Sequence, residues 1–170
     1  EPARTGGLSA ELGGDAAFIN APSKHSSAEA AGILAALVVL VVAFGTIVAA
    51  LVPIALALVA VAAGLGGITL LASGLNVSTA APTIGAMIGL GVGIDYSLFI
   101  VARYRENRAA GQHNAAALSV AMGSSGSAVV IAGGTVVVAM LALVLTGVGV
   151  LASIGLGTSL VVLFAVATAL

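Results

Sequence analysis

Asp95 and Tyr96 are the residues of this chain best suited to do chemistry. They sit side by side in the run GLGVGIDYSLFIVARYREN, Gly89 to Asn107. Between Glu29 and Arg103, Asp95 is the only formally charged side chain. A carboxylate in hydrocarbon costs about 2.5–3.5 kcal/mol even on the lenient insertion scale, so such a residue marks a function by default. A carboxyl that alternates between its neutral and ionised forms can carry a proton. One charge moved across the membrane field is worth about 2.3 kcal/mol per 100 mV, which would let one buried acid couple to a gradient. The competing reading is a structural acid bonded to a neighbouring helix, but a neutral polar side chain would do that at lower cost. Tyr96 offers a hydroxyl for a facing carboxylate or a proton path; otherwise it is a packing aromatic.

The elements that position this pair follow from composition. The chain has 170 residues, 61% hydrophobic and only 6% charged, with a mean hydropathy of +1.27. Soluble domains carry about 25% charged residues, so the sequence predicts an integral membrane protein of the all-α class, a polytopic bundle of about five transmembrane helices. A net charge of −1 gives no reason to expect nucleic acid. Cysteine is absent, which excludes disulfides and thiolate metal sites. His25 and His113 lie apart and outside the apolar runs, so no metal site is expected.

Residues 1–28 are polar and Gly-rich, with Pro2 and Pro22, and read as the end of a water-exposed domain or loop. From Ala30 to Ala72 no charge appears. As one helix that run would be roughly 64 Å long, about two bilayer cores, so it must fold back once. Gly45 loosens the helix and Pro53 suits a first turn. The expected spans are near 28–44, 47–72, 80–102, 124–146 and 150–170, within a transmembrane domain over 29–170. SGLNVST, Ser73 to Thr79, is a polar turn, and Gly147 and Gly149 loosen a later one. The loop 103–123 holds Arg103, Arg105 and Arg108, three of the five basic residues. Within it, Ala115 to Met122 reads as a short amphipathic segment at the surface. The positive-inside rule puts this loop in the cytoplasm, with the three arginines as an anchor to lipid phosphates. Three spans precede it, so residues 1–28 are expected on the extracytoplasmic side. The acidic bias of residues 1–29 agrees: Glu1, Glu11, Asp15 and Glu29 outweigh Arg4 and Lys24. The chain starts without a methionine and stops inside an apolar run, and it reads as a piece of a larger protein.

Gly85, Gly89 and Gly93 form a GxxxGxxxG stripe, where small residues let another helix approach closely. The stripe and Asp95 are expected on nearby faces, turning the carboxyl into a bundle. Gly89, Gly91 and Gly93 also spell GxG, but a dinucleotide site needs a strand before it and a βαβ unit. Ser124, Ser125, Ser127 and Thr135 are candidate partners for the third span, although bonding to their own helix backbone is the blander reading. Intramembrane aspartyl proteases use Gly-x-Gly-Asp and a second membrane Asp. Here the run is Gly-x-Gly-Ile-Asp and the other Asp is Asp15, so no enzyme is expected.

GLGVGIDYSLFIVARYREN resembles the signature of the MMPL family, in the resistance–nodulation–division (RND) transporter superfamily. HSSAEAAGILAALVVLVVAFGTIVAALVPIALAL, His25 to Leu58, is similar to the family's second and third helices, and GGTVVVAMLALVL to its fifth. The resemblance implies a transporter of two similar halves of six helices, each with a large extracytoplasmic loop between its first two. The five spans here would be helices two to six, in wording closest to the N-terminal half. In the family an Asp–Tyr pair in the fourth helix faces a matching pair in the tenth, relaying protons to drive export of lipids or other hydrophobic molecules. Asp95 and Tyr96 stand at those positions. The implied partners are membrane lipids, a hydrophobic substrate and the opposing half with its own pair; homo-oligomeric assembly is compatible. Protons are the coupling ion, with no cofactor, and the implied location is a bacterial inner membrane. Where family members often have GRAV, this chain has GSAV, Gly126 to Val129, so Ser127 replaces a cation. Two alternatives share this architecture: a sterol-sensing-like regulatory domain, which needs no titrating acid at mid-membrane, and a protein-translocation auxiliary.

Overall fold

The computed structural model describes residues 26–170, and the expected water-facing tail lies outside them apart from its last few positions. The described chain is all-helical, as the composition requires. Helix α1 spans Ser26–Phe44 and α2 spans Ile47–Ala72. Helix α3 runs from Ala80–Ala109. Helix α4, Asn114–Ala121, continues through a π-helical turn, Met122–Gly126, into α5, Ser127–Ala142. A 3-10 turn, Leu143–Thr146, ends that rod, and α6 spans Gly149–Ala169. Among the described residues, four helical stretches are long and apolar enough to cross a membrane by length and composition: Ala49–Ala72, Ala80–Ala109, Asn114–Thr146 and Gly149–Ala169.

The breaks have local causes. Gly45 closes the α1 end at φ +66°, donating its N–H to the Val41 carbonyl at 2.7 Å, the left-handed conformation that glycine adopts without a Cβ penalty. Pro53 is not in a first turn: α2 starts at Ile47 and the proline lies inside it, its ring fully buried. The ring's missing N–H leaves one carbonyl of the preceding turn unpaired, while its packing fixes that part of the helix in the core.

Helix α3 outruns its expected span, continuing past the arginines to Ala109. It ends at Gly111, φ +87°, where Gly111 N–H bonds Arg108 O at 3.0 Å and Gln112 N–H bonds Asn107 O at 3.2 Å. This is the paired closure of a Schellman motif. The Asn107 side chain is buried and donates from Nδ2 to Ala117 O at 3.3 Å, tying α3 to α4. The segment expected as a separate surface helix is therefore the first part of one 33-residue rod, Asn114–Thr146. Its residues keep bonding as a helix across the π turn, so nothing detaches them from α5.

Helices α2, α3 and α6 pack on one another, and α5 leans on α6. The core they enclose is made of small side chains. Ala57, Ala60 and Gly64 come from α2, Ala81 and Gly85 from α3, and Thr158, Val161 and Ala165 from α6, all buried. Lipid supplies no hydrophobic drive between helices, so close backbone approach has to. At the link between α2 and α3, Ser78 N–H donates to Ser153 Oγ on α6 at 3.2 Å, and Ala80 N–H to Ser78 Oγ at 3.3 Å.

Candidate functional site

Helix α3 is sealed along one side. Ala81, Gly85, Gly89, Gly93 and Ser97, every fourth residue, are buried. A Cβ on Gly93 would lie 3.0 Å from Ala57 Cβ and 3.1 Å from its Cα. One on Gly85 would meet Val161 Cγ2 at 3.3 Å, and one on Gly89 would collide with Val161 Cγ1. The glycines thus hold α3 against α2 and α6 at distances no larger residue permits.

Asp95 stands on the other side. Two residues turn a helix by about 200°, so the carboxyl faces away from Gly93 rather than near it, and it is exposed on the described chain. The expected proximity of stripe and acid is corrected by this geometry. Among the described residues no hydrogen bond or ion pair reaches the Asp95 carboxylate. Tyr96, one step on, is half-buried and packs with Met122 and Val166 against the cluster of Ile100, Val129 and Ala169. Gly133 lies beside the ring, and a Cβ there would be in ordinary contact with Tyr96 Cε2 but would collide with Val166 Cγ2. Asp95 and Tyr96 line a cleft of about 300 Å³ with Phe99, Ala128, Val129 and Ala132. The pair is therefore brought together at the α3–α5 seam, the ring anchored and the acid open.

The arginines divide their roles. Arg103 Nη1 bonds Glu106 Oε2 at 2.7 Å, so it is committed there and does not pair with Asp95. Arg108 Nη1 donates to Gln112 O at 2.6 Å and helps close the helix end. Arg105 is half-buried on the same turn. The hydroxyls of the α4–α5 rod bond their own backbone: Ser124 to Val120 O at 2.9 Å, Ser127 to Gly123 O at 3.0 Å and Thr135 to Ile131 O at 2.9 Å. They are not partners of α3. Sequence reasoning missed Gly133 as the close contact of α5 with Val166 on α6. The doublet Gly133–Gly134 was the available signal, masked by the chain's 23 glycines.

The amino-acid sequence matches the MMPL family model over residues 1–170. The chain belongs to the MMPL family. Among curated MMPL-type relatives, it is 35% identical to the membrane protein YdfJ of Bacillus subtilis, over 94% of this chain and 22% of YdfJ. It is 35% identical to the mycolic acid-containing lipids exporter MmpL11 of Mycolicibacterium smegmatis, over 78% of this chain and 14% of that protein. It is also 35% identical to the heme uptake protein MmpL11 of Mycobacterium tuberculosis, over 90% of this chain and 16% of that protein. The chain spans less than a quarter of the length of these relatives. As an MMPL chain with several helices fit to cross a bilayer, it is a multi-pass membrane protein of a transporter family.

Proposed function

We propose that this chain is the proton-coupling part of a transporter driven by the proton-motive force, moving lipids or other hydrophobic molecules, with Asp95 carrying the proton and Tyr96 assisting the relay. The observation that carries this reading is the placement of Asp95. It is an acid inside a membrane-length helix, unpaired among the described residues, on the face opposite a sealed packing surface. An unpaired carboxyl there is costly, and a second helix bundle with a complementary Asp–Tyr pair would use it.

In the proposed cycle Asp95 takes a proton from the extracytoplasmic side. Its neutralisation relaxes pairing with the opposing half, the helices shift, and the proton leaves to the cytoplasm. The proposed topology places 1–28 outside and 103–123 in the cytoplasm of a bacterial inner membrane. The MmpL11 relatives are named for a mycolic acid-containing lipid and for heme. Both are bulky hydrophobic cargoes, which supports that cargo class here.

The test is Asp95→Asn in the full-length protein, reconstituted with lipid extract as cargo under an imposed pH gradient. Asn keeps size and hydrogen bonding but does not titrate. Proton uptake, read with a trapped dye, is expected to fall about 100-fold or more while the protein still folds and inserts. Undiminished uptake would make Asp95 structural, and a wild type with no gradient dependence at all would favour a regulatory domain of the same architecture.

A further inference from the structure

A second acid lies on the same face of α3. Asp95, Phe99, Ala102, Arg103 and Glu106 recur at helical spacing, placing the two carboxyls about 16 Å apart along the axis. The cleft at Asp95 shares Phe99 and Ala128 with a neighbouring cleft of about 380 Å³, lined also by Ala102, Arg103, Glu106, Ser124 and Ser125. The two form one groove along the α3–α5 seam. Its walls at Ala102, Ala128 and Ala132 are short side chains, Phe99 stands where the two clefts meet, and the polar groups that would hold water lie at the two ends, Asp95 and Tyr96 at one and Arg103, Glu106, Ser124 and Ser125 at the other. Along this face the charged groups are Asp95, Arg103 and Glu106, with Tyr96 beside the first. The rod facing them, Asn114–Thr146, and the packed helices α2 and α6 contain no titratable side chain.

We infer that Glu106 is the exit group for the proton carried by Asp95, reached through water in the α3–α5 groove and held ready by Arg103. This rests on Asp95 being the proton carrier. The Asp95 O–H bond breaks as a proton passes along water to Glu106. The new Glu106 O–H displaces the Arg103 ion pair, which is exposed to water (relative exposure 43% for Arg103 and 67% for Glu106). Glu106 then gives the proton to bulk water and Arg103 takes the carboxylate back. The pair resets the exit without a second protein acid.

The experiment uses the full-length protein in proteoliposomes, with protons as the probe and trapped pyranine as the reporter. Four forms are compared: wild type, Glu106→Gln, Glu106→Asp and Ala128→Leu. Glu106→Gln is expected to slow proton uptake about tenfold and to flatten its dependence on pH at the Arg103 side, with Glu106→Asp restoring both. Ala128→Leu, which fills the groove without touching either acid, is expected to slow uptake similarly. Wild-type rates and pH profile in both Glu106→Gln and Ala128→Leu would overturn the assignment. If Glu106→Gln does not insert, Ala128→Leu decides alone: slowed uptake supports the groove and unchanged uptake removes it. Asp95→Asn run in parallel separates the two levels. Uptake that survives Asp95→Asn defeats the coupling reading itself, whereas uptake lost there but intact in the groove variants defeats only the exit path.

Discussion

Along α3, the side built from Ala81, Gly85, Gly89, Gly93 and Ser97 is closed against α2 and α6, while the side carrying Asp95, Phe99, Arg103 and Glu106 is open over its length. The closed side has almost no side chain to rearrange. The open side carries Asp95, Arg103 and Glu106. A helix that is gripped by backbone-level contact on one side can present an acid on the other without losing its position. Stability and chemistry are thereby separated across about 10 Å of helix diameter, and substitutions on the two sides should report on different quantities.

The largest effect on folding is expected at Gly89. Gly89→Leu drives a side chain into Val161 and Val61, and overpacking of this kind costs about 3 kcal/mol or more; thermal unfolding in detergent would show an early transition or no folded protein. By contrast, Asp95→Asn should leave the same unfolding curve within about 0.5 kcal/mol of wild type, and a large shift there would collapse the distinction between the two sides. Next comes Asn107→Ala. It removes the buried Nδ2 bond to the Ala117 carbonyl and should cost about 1–2 kcal/mol. The loss should appear as faster hydrogen exchange around residues 107–117. The smallest effect is expected at Gly91, which is exposed and has open space where a Cβ would stand. Gly91→Ala should be neutral or stabilising by up to about 1 kcal/mol, from helix propensity alone. A penalty at Gly91 comparable to that at Gly89 would show that the open side is packed after all.

Much of this was legible in the sequence, for identifiable reasons. Asp95 stood out because charge is scarce between Glu29 and Arg103. The helical spans followed from uninterrupted apolar runs, and the glycine stripe from its period of four. Hydropathy stops at Arg103, so it could not foresee that α3 runs to Ala109; that extension depends on Asn107 reaching Ala117, a contact between residues of unremarkable type. Nor does hydropathy distinguish a surface helix from the start of a long rod, and the π turn at Met122–Gly126 has no periodicity of its own. Pro53 was misplaced because proline's preference for a first turn is a local tendency, overridden here by burial of its ring. The angular relation of Gly93 and Asp95 follows from the helix period, which sets residues two apart about 200° from each other.

Val161 touches glycine positions on two different helices, and the contacts differ in kind. At Gly89 the obstruction is the valine's methyl group. At Gly64 a Cβ would lie 2.8 Å from the valine's own Cα. Shortening the valine to alanine makes room for the first, but at the second it removes only the methyl contact and leaves the clash with the Cα in place. In a genetic screen, a defect caused by Gly89→Ala is therefore suppressible at codon 161, while one caused by Gly64→Ala is not. The pattern of second-site revertants would map which pairs of helices meet through side chains and which meet through backbone.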